Sequence, residues 1–448
     1  MFGAKVSPMK TVHILRILLF SLVVGCSKQQ PPPEPVTLSF LDVEWDIPDR
    51  LPSLAQDLQD FTRETGIRVK RLPRPGSSLD QLALWRKLLQ EGSVATPDLV
   101  SIDVIWSGIL NQRLMDLRPY FPAELSSQDP VVLASYTVGE KVVAIPRHAY
   151  VGVLIYRPDL LRKYGYREPP KTWDELETVA TRIQAGERAN GDKDFWGYSW
   201  QGGIDEDLTC SGLELQLSEG GGRIIEDDGT VSVNNPRAIR TWQRAARWVG
   251  SISPPGVVAY GKWDSQNLWS SGKAAFLRGW ESNFSLITRG WPFSGTNSIA
   301  LPGNAAQFGL TSLPGGRTAR VGALGGNGLA VPRASAHPRE ALELIRFLLR
   351  KDAELMRASE HSKIPMELEL FEMPAILEPF PQFAQLSQHR GAVVARPSIV
   401  SGEKYEDVSR AYIRSVHSVL TGENIPSVAA AKLEGELIEL TGFKKGPP

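Results

Sequence analysis

At 448 residues, the chain is too long for one ordinary hydrophobic core, so we expect two lobes. Hydrophobic residues make up 42% and charged residues 22% of the sequence, a balance typical of a globular protein. Fifty basic residues match fifty acidic ones, so the chain lacks the global field that would recruit nucleic acid.

The N-terminus has the pattern of an export signal. Basic residues precede a mostly apolar run over 17–24, and Gly25 and Cys26 follow it. Such a run, with about eight residues, is too short to cross a bilayer as a helix, whereas its flanks are typical of a secretory signal. Because Leu-Val-Val-Gly-Cys resembles the lipobox of bacterial lipoproteins, we expect residues 1–26 to be a signal peptide that ends at a lipidated Cys26. The alternative is an ordinary signal or a short anchor with an incidental cysteine. The start can also lie at Met9 instead of Met1, which gives the signal a more usual length.

Residues 27–35 are polar and rich in proline, which predicts an extended tether. With a lipid on Cys26, this tether would hold an exported body at the cell membrane, facing the periplasm or the cell exterior. The second cysteine is Cys210, and the histidines show no metal-binding spacing. The sequence therefore predicts neither a disulfide framework nor a metal site.

The body begins with alternating strands and helices. The predicted elements are a strand over 36–41, a helix from Ser53 to Gly66, a strand over 67–72, a helix on which Leu82, Trp85 and Leu89 share a face, and a strand over 98–102. This order and spacing indicate βαβ units and a largely parallel sheet. We interpret Trp85 as a core residue.

A comparable pattern follows residue 145. Helices are predicted after the capping box of Thr172 and Glu175, after Asn235-Pro236 and after His337-Pro338. The glycine-rich segment 322–328 has neither the GKS/T ending of a phosphate loop nor GxGxxG at a strand-to-helix turn. We expect its glycines to let backbone approach a ligand or to form a hinge.

Three passages carry motifs that occur together in one family. They are PDLVSIDVIW (97–106); YRPDLLRKYGY (156–166) with PPKTWDEL (169–176), IQAGER (183–188) and FWGY (195–198); and GKAAF (272–276) with LGG (324–326). Their order and spacing resemble the ABC-type extracellular solute-binding proteins, specifically the trehalose/maltose-binding branch. The resemblance extends from residue 36 to about residue 442.

This resemblance implies an α/β fold of two lobes, each a mostly parallel sheet flanked by helices, with the ligand in the cleft between them. The first lobe would hold residues 36–146 and 279–327, and the second lobe 147–278 and 328–442, leaving 443–448 as a tail. It also implies a monomeric binding protein and not an enzyme, without cofactors or bound nucleic acid. Such a protein closes on a sugar, here a disaccharide or short oligosaccharide, and delivers it to the permease subunits of an ABC importer.

The resemblance also assigns site residues. Asp103 would accept hydrogen bonds from sugar hydroxyls, Arg396 would donate them, and Trp280 would stack on a sugar ring, while Gly325 and Gly326 would offer backbone contacts. The alternatives are a helix cap for Asp103, core packing for Trp280 and a plain surface position for Arg396.

Some positions depart from the family pattern. Close trehalose/maltose-binding proteins carry a motif similar to Tyr-x-Asp where this chain has His148-Ala149-Tyr150. They carry a tryptophan where this chain has Asn327. We expect His148, Tyr150 and Asn327 to line the site, because they still form hydrogen bonds with a polar ligand, although trehalose or maltose itself is then not implied. Asp49, in a divergent loop, is matched to an acidic residue of the first lobe.

Two other functions remain open from the sequence. The same fold can bind a non-sugar polar solute through different side chains in the same cleft. A secreted glycoside hydrolase would need two carboxylates across a cleft. The acidic runs 205–207 and 226–228 are interpreted as solvated loops, and no catalytic signature accompanies them.

Overall fold

The computed structural model describes residues 1, 3, 35–43, 53–75, 78–90, 95–288, 308–361, 365–366, 368–380, 384 and 392–446. Cys26 and Asp49 lie outside the described residues. Contacts divide the chain into a unit of Met1–Pro35 and a unit of Val36–Pro448, and all elements named below belong to the second unit. No described helix has the length and apolarity needed to cross a membrane.

A nine-stranded mixed sheet runs through the described part of this unit. Its strands are β1 (Thr37–Leu41), β2 (Arg68–Arg71), β3 (Leu99–Asp103), β4 (Ile145–Tyr156), β5 (Trp196–Ser199), β6 (Ala274–Trp280), β7 (Gly309–Ser312), β8 (Val321–Ala330) and β9 (Ala392–Val394). Their order is β2-β1-β3-β8-β4-β6-β5, with β7 paired to β4 and β9 to β8. Two short pairs lie outside this sheet, Thr137–Val138 with Lys141–Val142 and Thr230–Val231 with Lys444–Lys445.

The expected parallel pairing is found at both ends of the sheet. Strand β1 is parallel to β2 and β3, and β5 is parallel to β6. The middle is different, because β8 runs antiparallel to β3 and β4, and β4 also runs antiparallel to β6. The glycine-rich segment 322–328 is thus part of a long central strand.

The longer helices are α1 (Ser53–Thr65), α2 (Ser78–Leu88), α3 (Trp173–Ala189), α4 (Glu206–Ser218), α5 (Pro236–Trp248), α6 (Lys262–Ser270), α7 (Pro338–Leu348), α8 (Lys351–His361), α9 (Tyr405–Leu420) and α10 (Pro426–Thr441). Shorter helices span Ser107–Leu110, Pro122–Ser126, Pro130–Ala134, Pro158–Lys163, Asn283–Thr288, Pro374–Leu377 and Ser398–Ser401. Single 3₁₀ turns cover Asn111–Arg113, Arg118–Tyr120, Pro255–Ala259, Leu368–Glu372 and Gly402–Lys404.

Local sequence signals explain where several helices begin and end. The Thr172 hydroxyl accepts from the Glu175 amide at 3.2 Å, and the Glu175 carboxylate accepts from the Thr172 amide at 3.3 Å, which confirms the capping box of α3. The Asn235 side chain accepts from the first two free amides of α5, both at 3.0 Å. Gly66 follows α1 with a φ of +77°, a conformation that favours glycine.

Buried side chains divide this unit into two lobes. A first lobe packs around β1–β3, and a second lobe packs around β5 and β6. The long strand β4 contributes Ile145 and Ala149 to the first lobe and Leu154 and Ile155 to the second. Strand β8 similarly reaches both lobes. The middle residues of β4 and β8 therefore lie where the chain passes between the lobes.

The packing groups two segments differently from the boundaries that the resemblance implies. Trp280, Leu310 and Ala323 pack with the second lobe, although the resemblance places 279–327 in the first lobe. Ala341 and Leu344 of α7 are buried in the same hydrophobic core as Leu38 and Phe40 of β1, so α7 belongs with the first lobe and not with the second. The reason is that the C-terminal half of β8 pairs with β3, which brings the following chain to the first lobe. Strand β9 and helices α9 and α10 pack with the second lobe.

Trp85 lies in the core of the first lobe, as predicted. Its side chain is 0% exposed, and its indole N–H donates to the carbonyl of Ser101 at 2.9 Å. The ring contacts Trp106 edge to face, with 5.6 Å between the ring centroids. Burial of an aromatic ring with its polar atom satisfied is a stabilising arrangement, which makes Trp85 a packing residue.

Candidate functional site

Polar side chains meet where the central strands pass between the lobes. The sheet register places Asp103 of β3 opposite Asn327 of β8, Asn327 opposite His148 of β4, and Gly325 opposite Tyr150. Directly opposed residues project from the same face of a sheet, as do residues two apart on one strand. The predicted residues Asp103, Asn327, His148 and Tyr150 thus share one face. The His148 and Tyr150 rings are stacked, with centroids 6.0 Å apart and planes 10° apart.

The two predicted glycines make room for other parts of the protein. A Cβ at Gly325 would lie 2.9 Å from Cζ3 of Trp280, so a larger residue would displace the indole. Gly326 has a φ of +134°, and a Cβ there would lie 2.0 Å from the carbonyl oxygen of His148. The close approach that these glycines permit is therefore to Trp280 and to the neighbouring strand β4.

Trp280 ends β6 and closes one side of this cluster. Its side chain is 8% exposed, and its indole N–H donates to a carboxylate oxygen of Asp207 at 3.3 Å. The guanidinium of Arg278 lies 4.2 Å from the centroid of the Trp280 ring, a cation–π contact. Trp280 thus packs within the second lobe and exposes a small part of its surface.

Arg396 lies at the centre of the cluster. It is 7% exposed, so the alternative of a plain surface arginine is wrong. Its Nη1 donates to Glu206 Oε1 at 2.8 Å, and its Nη2 donates to the Leu324 carbonyl at 3.1 Å. Nη2 also lies 3.8 Å from Oδ1 of Asp103. One guanidinium therefore connects a carboxylate on a first-lobe strand with a carboxylate on a second-lobe helix.

The carboxylate of Asp103 is more accessible than that of Glu206, whose side chain is 25% exposed. The Asp103 side chain is 35% exposed, and its Oδ1 accepts from the Ile105 amide at 3.2 Å. This is a local Asx-type bond and not the alternative helix cap, because Trp106 occupies the N-cap position of the next helix. Removal from bulk water raises the pKa of the Asp103 carboxyl above its ordinary value, against the opposing effect of Arg396.

The structure adds Glu206 and Asp207 to the site, whereas the sequence identified them only as part of an acidic run and not as site residues. Asp205 caps α4, with its carboxylate accepting from the Glu206 amide at 2.6 Å. Glu206 also accepts from the hydroxyls of Ser409, at 2.6 Å, and Tyr405. The interpretation of 205–207 as a solvated loop is wrong. The signal that was available is an acidic first turn before an apolar run, which is typical of a helix start.

The acidic run 226–228 fits its interpretation as a solvated segment. It forms a turn before the short strand Thr230–Val231, and the Asp227 side chain is 88% exposed. Cys210 is free and buried inside the second lobe. Within the described ranges, no three or more His, Cys, Asp or Glu side chains are arranged to hold a metal ion.

Several buried polar atoms around Asp103 retain unused hydrogen-bonding capacity. Oδ1 of Asn327, Nε of Arg396 and the hydroxyl of Tyr136 have no hydrogen-bond partner among the described residues. Tyr136 packs against Gly328, and burial raises the pKa of its phenol, with the Asp103 charge acting in the same direction. An unsatisfied buried polar atom costs about 1–3 kcal/mol, so such atoms are rare away from functional sites. The cluster is thus equipped to bond a polar molecule.

A family model and a curated relative both match this chain over most of its length. A family model described as bacterial extracellular solute-binding protein matches residues 45–355. A Deinococcus radiodurans protein named "Probable ABC transporter-binding protein" is 39% identical over 385 residues, which cover 85% of this chain and 89% of that protein.

Solved structures with the same architecture include two from Thermotoga. The maltose-bound MalE3 of T. maritima is 29% identical, with a TM-score of 0.77 over 90% of this chain and 100% of that chain. An ABC transporter solute-binding protein of Thermotoga lettingae, bound to α-D-tagatose, has a TM-score of 0.76 at 20% identity and covers 91% of this chain and 100% of its own. The second likeness concerns the fold alone.

Proposed function

We propose, from the premise that the chain belongs to the bacterial extracellular solute-binding proteins, that its cleft captures a sugar for import. The family and its relatives make the chain the exported solute-binding subunit of an ABC transporter, which carries its ligand without transforming it. The identity of the ligand, the residues that bind it and the lipid anchor belong to the proposal.

The observation that supports a sugar is the unused hydrogen-bonding capacity beside Asp103. A sugar presents hydroxyl groups that both donate and accept, and the cluster offers both kinds of partner. Asp103 accepts from hydroxyls, while Arg396 and Asn327 contribute a donor and an acceptor that have no partner among the described residues. The 29% identity to a maltose-bound relative is consistent with a disaccharide or short oligosaccharide.

The remaining predicted residues complete the proposed site. His148 and Tyr150 present polar edges from β4, and Trp280 offers its exposed margin to the C–H face of a sugar ring. Gly325 keeps the Trp280 indole close to β8. Asp49, as an acidic residue of the first lobe, is proposed to contribute a further acceptor from outside the described residues.

Cleft closure follows from the way the lobes are connected. Strands β4 and β8 contribute to the cores of both lobes, so bending near their middle residues moves the lobes while each core stays intact. A ligand that bonds Asp103 from one lobe and Glu206 or Trp280 from the other favours the closed state, because it gains contacts only there.

Titration of a panel of solutes into the protein without residues 1–26 tests the proposed ligand. The panel contains maltose, trehalose, mannitol and tagatose, with spermidine and a tripeptide to represent non-sugar solutes. We expect saturable heat release with a sugar and a decrease in the radius of gyration by small-angle scattering. Binding of spermidine or the peptide alone would contradict the sugar assignment and leave the transporter function intact.

We also propose that Cys26 carries the lipid that holds the protein at the membrane. More than one acyl chain is needed for stable anchoring, at about 0.8 kcal/mol for each buried methylene. Cys26→Ala should abolish incorporation of labelled fatty acid and stop processing of the precursor. Cys210→Ala is the matched control, since Cys210 is buried in the second lobe and should leave labelling unchanged. Equal labelling of Cys26→Ala and the wild type would contradict the anchor.

A further inference from the structure

A second concave site lies on the second lobe, beyond the C-terminal end of α4. Glu219 follows α4 directly, and thirteen helical residues put it about 20 Å along the helix from Glu206. The pocket there measures about 220 Å³. Its lining includes Arg237, Arg240, Arg244, Arg247, Arg317 and Glu219. The pocket is therefore separate from the cleft and rich in arginine.

Four of these arginines project from one face of α5. Arg237, Arg240, Arg244 and Arg247 are spaced by three, four and three residues, which aligns them along the helix. The fifth, Arg317, comes from a different segment, between β7 and β8. The pocket thus has guanidinium groups on a helical wall and on a separate loop.

The loop that carries Arg317 is fixed to the end of α4. The Thr318 amide donates to the Ser218 carbonyl at 3.1 Å, and the Thr318 hydroxyl donates to the Leu217 carbonyl at 2.7 Å. A Cβ at Gly316 would lie 2.5 Å from the carboxylate carbon of Glu219, so the loop and Glu219 are in close contact. These contacts keep the pocket preformed.

Arg244 forms ion pairs with the acidic side chains beside the pocket. Arg244 lies 2.6 Å from Asp174, 3.8 Å from Glu177 and 3.9 Å from Glu219, measured between nitrogen and carboxylate oxygen. Its Nη1 is nevertheless buried without a hydrogen-bond partner among the described residues. Three acidic groups therefore converge on a single guanidinium.

The other four arginines have no carboxylate partner among the residues that the structure describes. No ion pair within the described ranges involves Arg240, Arg247 or Arg317, and there the guanidinium of Arg237 donates only to the Gly220 carbonyl, at 3.3 Å. Like charges gathered in one concavity repel each other and raise the local positive potential. An anion that enters the pocket relieves this repulsion, whereas a neutral sugar does not.

We propose that this pocket binds a phosphate oxyanion, either free phosphate or the phosphate of a lipid headgroup. The planar guanidinium forms paired, charge-assisted hydrogen bonds with phosphate oxygens, and several guanidiniums around one pocket match the several oxygens of the group. The partnerless Nη1 of Arg244 supplies a further donor. The site is independent of the sugar proposed for the cleft.

Calorimetric titrations with the full-length chain in detergent test this site. The probes are inorganic phosphate, pyrophosphate and glycerophosphoglycerol, the deacylated headgroup of phosphatidylglycerol, each against sodium chloride at equal ionic strength. We expect binding that Arg240→Gln/Arg247→Gln weakens about tenfold or more, because two charged donors are lost. Preference for the diester assigns the site to a lipid headgroup, and preference for inorganic phosphate or pyrophosphate assigns it to a free anion.

A matched variant controls for net charge. Arg68→Gln/Arg339→Gln removes two exposed arginines of the first lobe and should leave phosphate binding unchanged. Both double variants should keep the affinity of the wild type for the cleft ligand. Absence of binding by all three probes, or equal weakening in the two double variants, would overturn the proposal.

Discussion

Two buried arginines meet carboxylates of the same helix, α4, in contrasting ways. Arg278 binds Glu214 with two parallel hydrogen bonds, at 2.6 and 3.0 Å, and the two side chains are 1% and 2% exposed. Arg396 makes one hydrogen bond to Glu206, at 2.8 Å, and remains 3.8 Å from Asp103, whose side chain is 35% exposed. The first pair is closed, and the second is open toward the cleft.

The surroundings of each arginine reinforce this contrast. Gln201 accepts from Arg278 at 3.3 Å, and Glu214 accepts from the Ala323 amide at 2.9 Å, so the closed pair is surrounded by partners. Nε of Arg396 has no hydrogen-bond partner within the described residues. Buried ion pairs are tolerable when every hydrogen bond is made. Buried charges with all their hydrogen bonds made thus serve the fold, while those with unsatisfied atoms indicate where a ligand is expected.

The largest effect is expected from breaking the closed pair. Glu214→Gln leaves the buried guanidinium of Arg278 without its counter-charge, which should cost about 3–5 kcal/mol in the free energy of unfolding. Urea denaturation measures this loss, with exposed Glu403→Gln as a control that should change stability by less than about 0.5 kcal/mol. Equal midpoints for the two variants would refute a structural role for the pair.

Removing the Arg396 guanidinium should lower the affinity for the ligand more than the stability of the fold. Arg396→Gln removes a charged donor from the cleft and should weaken ligand binding by about ten- to a hundredfold, equivalent to about 1.5–3 kcal/mol. Arg223→Gln, whose guanidinium donates to the Ala395 carbonyl at 3.4 Å, is the control and should bind as the wild type does. An unchanged affinity in Arg396→Gln would place the ligand away from this arginine.

Acid should weaken binding through Asp103. Removal from bulk water raises the pKa of Asp103, so the carboxylate that accepts hydroxyl hydrogen bonds is lost at a higher pH than for an ordinary aspartate. Affinity measured from pH 7 to pH 4 should fall as the pH passes through this raised pKa. Asp103→Asn should bind more weakly at pH 7 and show a flatter profile. Parallel profiles for the two proteins would exclude Asp103 as the responsible group.

The smallest expected effect is a gain of stability. Because folding raises the pKa of Asp103, the folded state binds its proton more tightly, and this contribution to stability is lost as the pH rises through the raised pKa. Asp103→Asn should therefore raise the melting temperature slightly at pH 7.

Asp159→Asn should change the melting temperature in the opposite direction. Although burial opposes it, hydrogen bonds from Arg157 lower the pKa of Asp159, so this substitution should lower the melting temperature at pH 7. The same sign for Asp103→Asn and Asp159→Asn would contradict the assigned pKa directions.

Local signals in the sequence were sufficient for much of the fold. The cap at Thr172, the glycine after α1 and the core position of Trp85 depend on neighbours within a few residues, and the structure confirms all three. The two-lobed architecture came from motif order and is shared with the solved relatives. The antiparallel centre was missed, because the glycines of 322–328 carry no periodic pattern that identifies a strand.

Long-range contacts explain what the sequence left out of the site. Glu206 contacts Arg396 and Tyr405 across 190 and 199 residues of chain, and no local pattern encodes such a meeting. The arginine spacing on α5 is visible in the sequence. The position of Arg317 beside these arginines, however, depends on how the loop after β7 attaches to α4. The roles proposed for Asp103, Trp280 and Arg396 stay predictions until a ligand is titrated.

The central claim is that the cleft around Asp103 and Trp280 binds the transported solute. Calorimetry of the identified ligand with Asp103→Ala, Trp280→Ala and the core variant Trp85→Ala tests it most directly. We predict that the two cleft variants bind about ten- to a hundredfold more weakly, while folded Trp85→Ala keeps its affinity and melts at a lower temperature. Wild-type affinity in both Asp103→Ala and Trp280→Ala would contradict the claim.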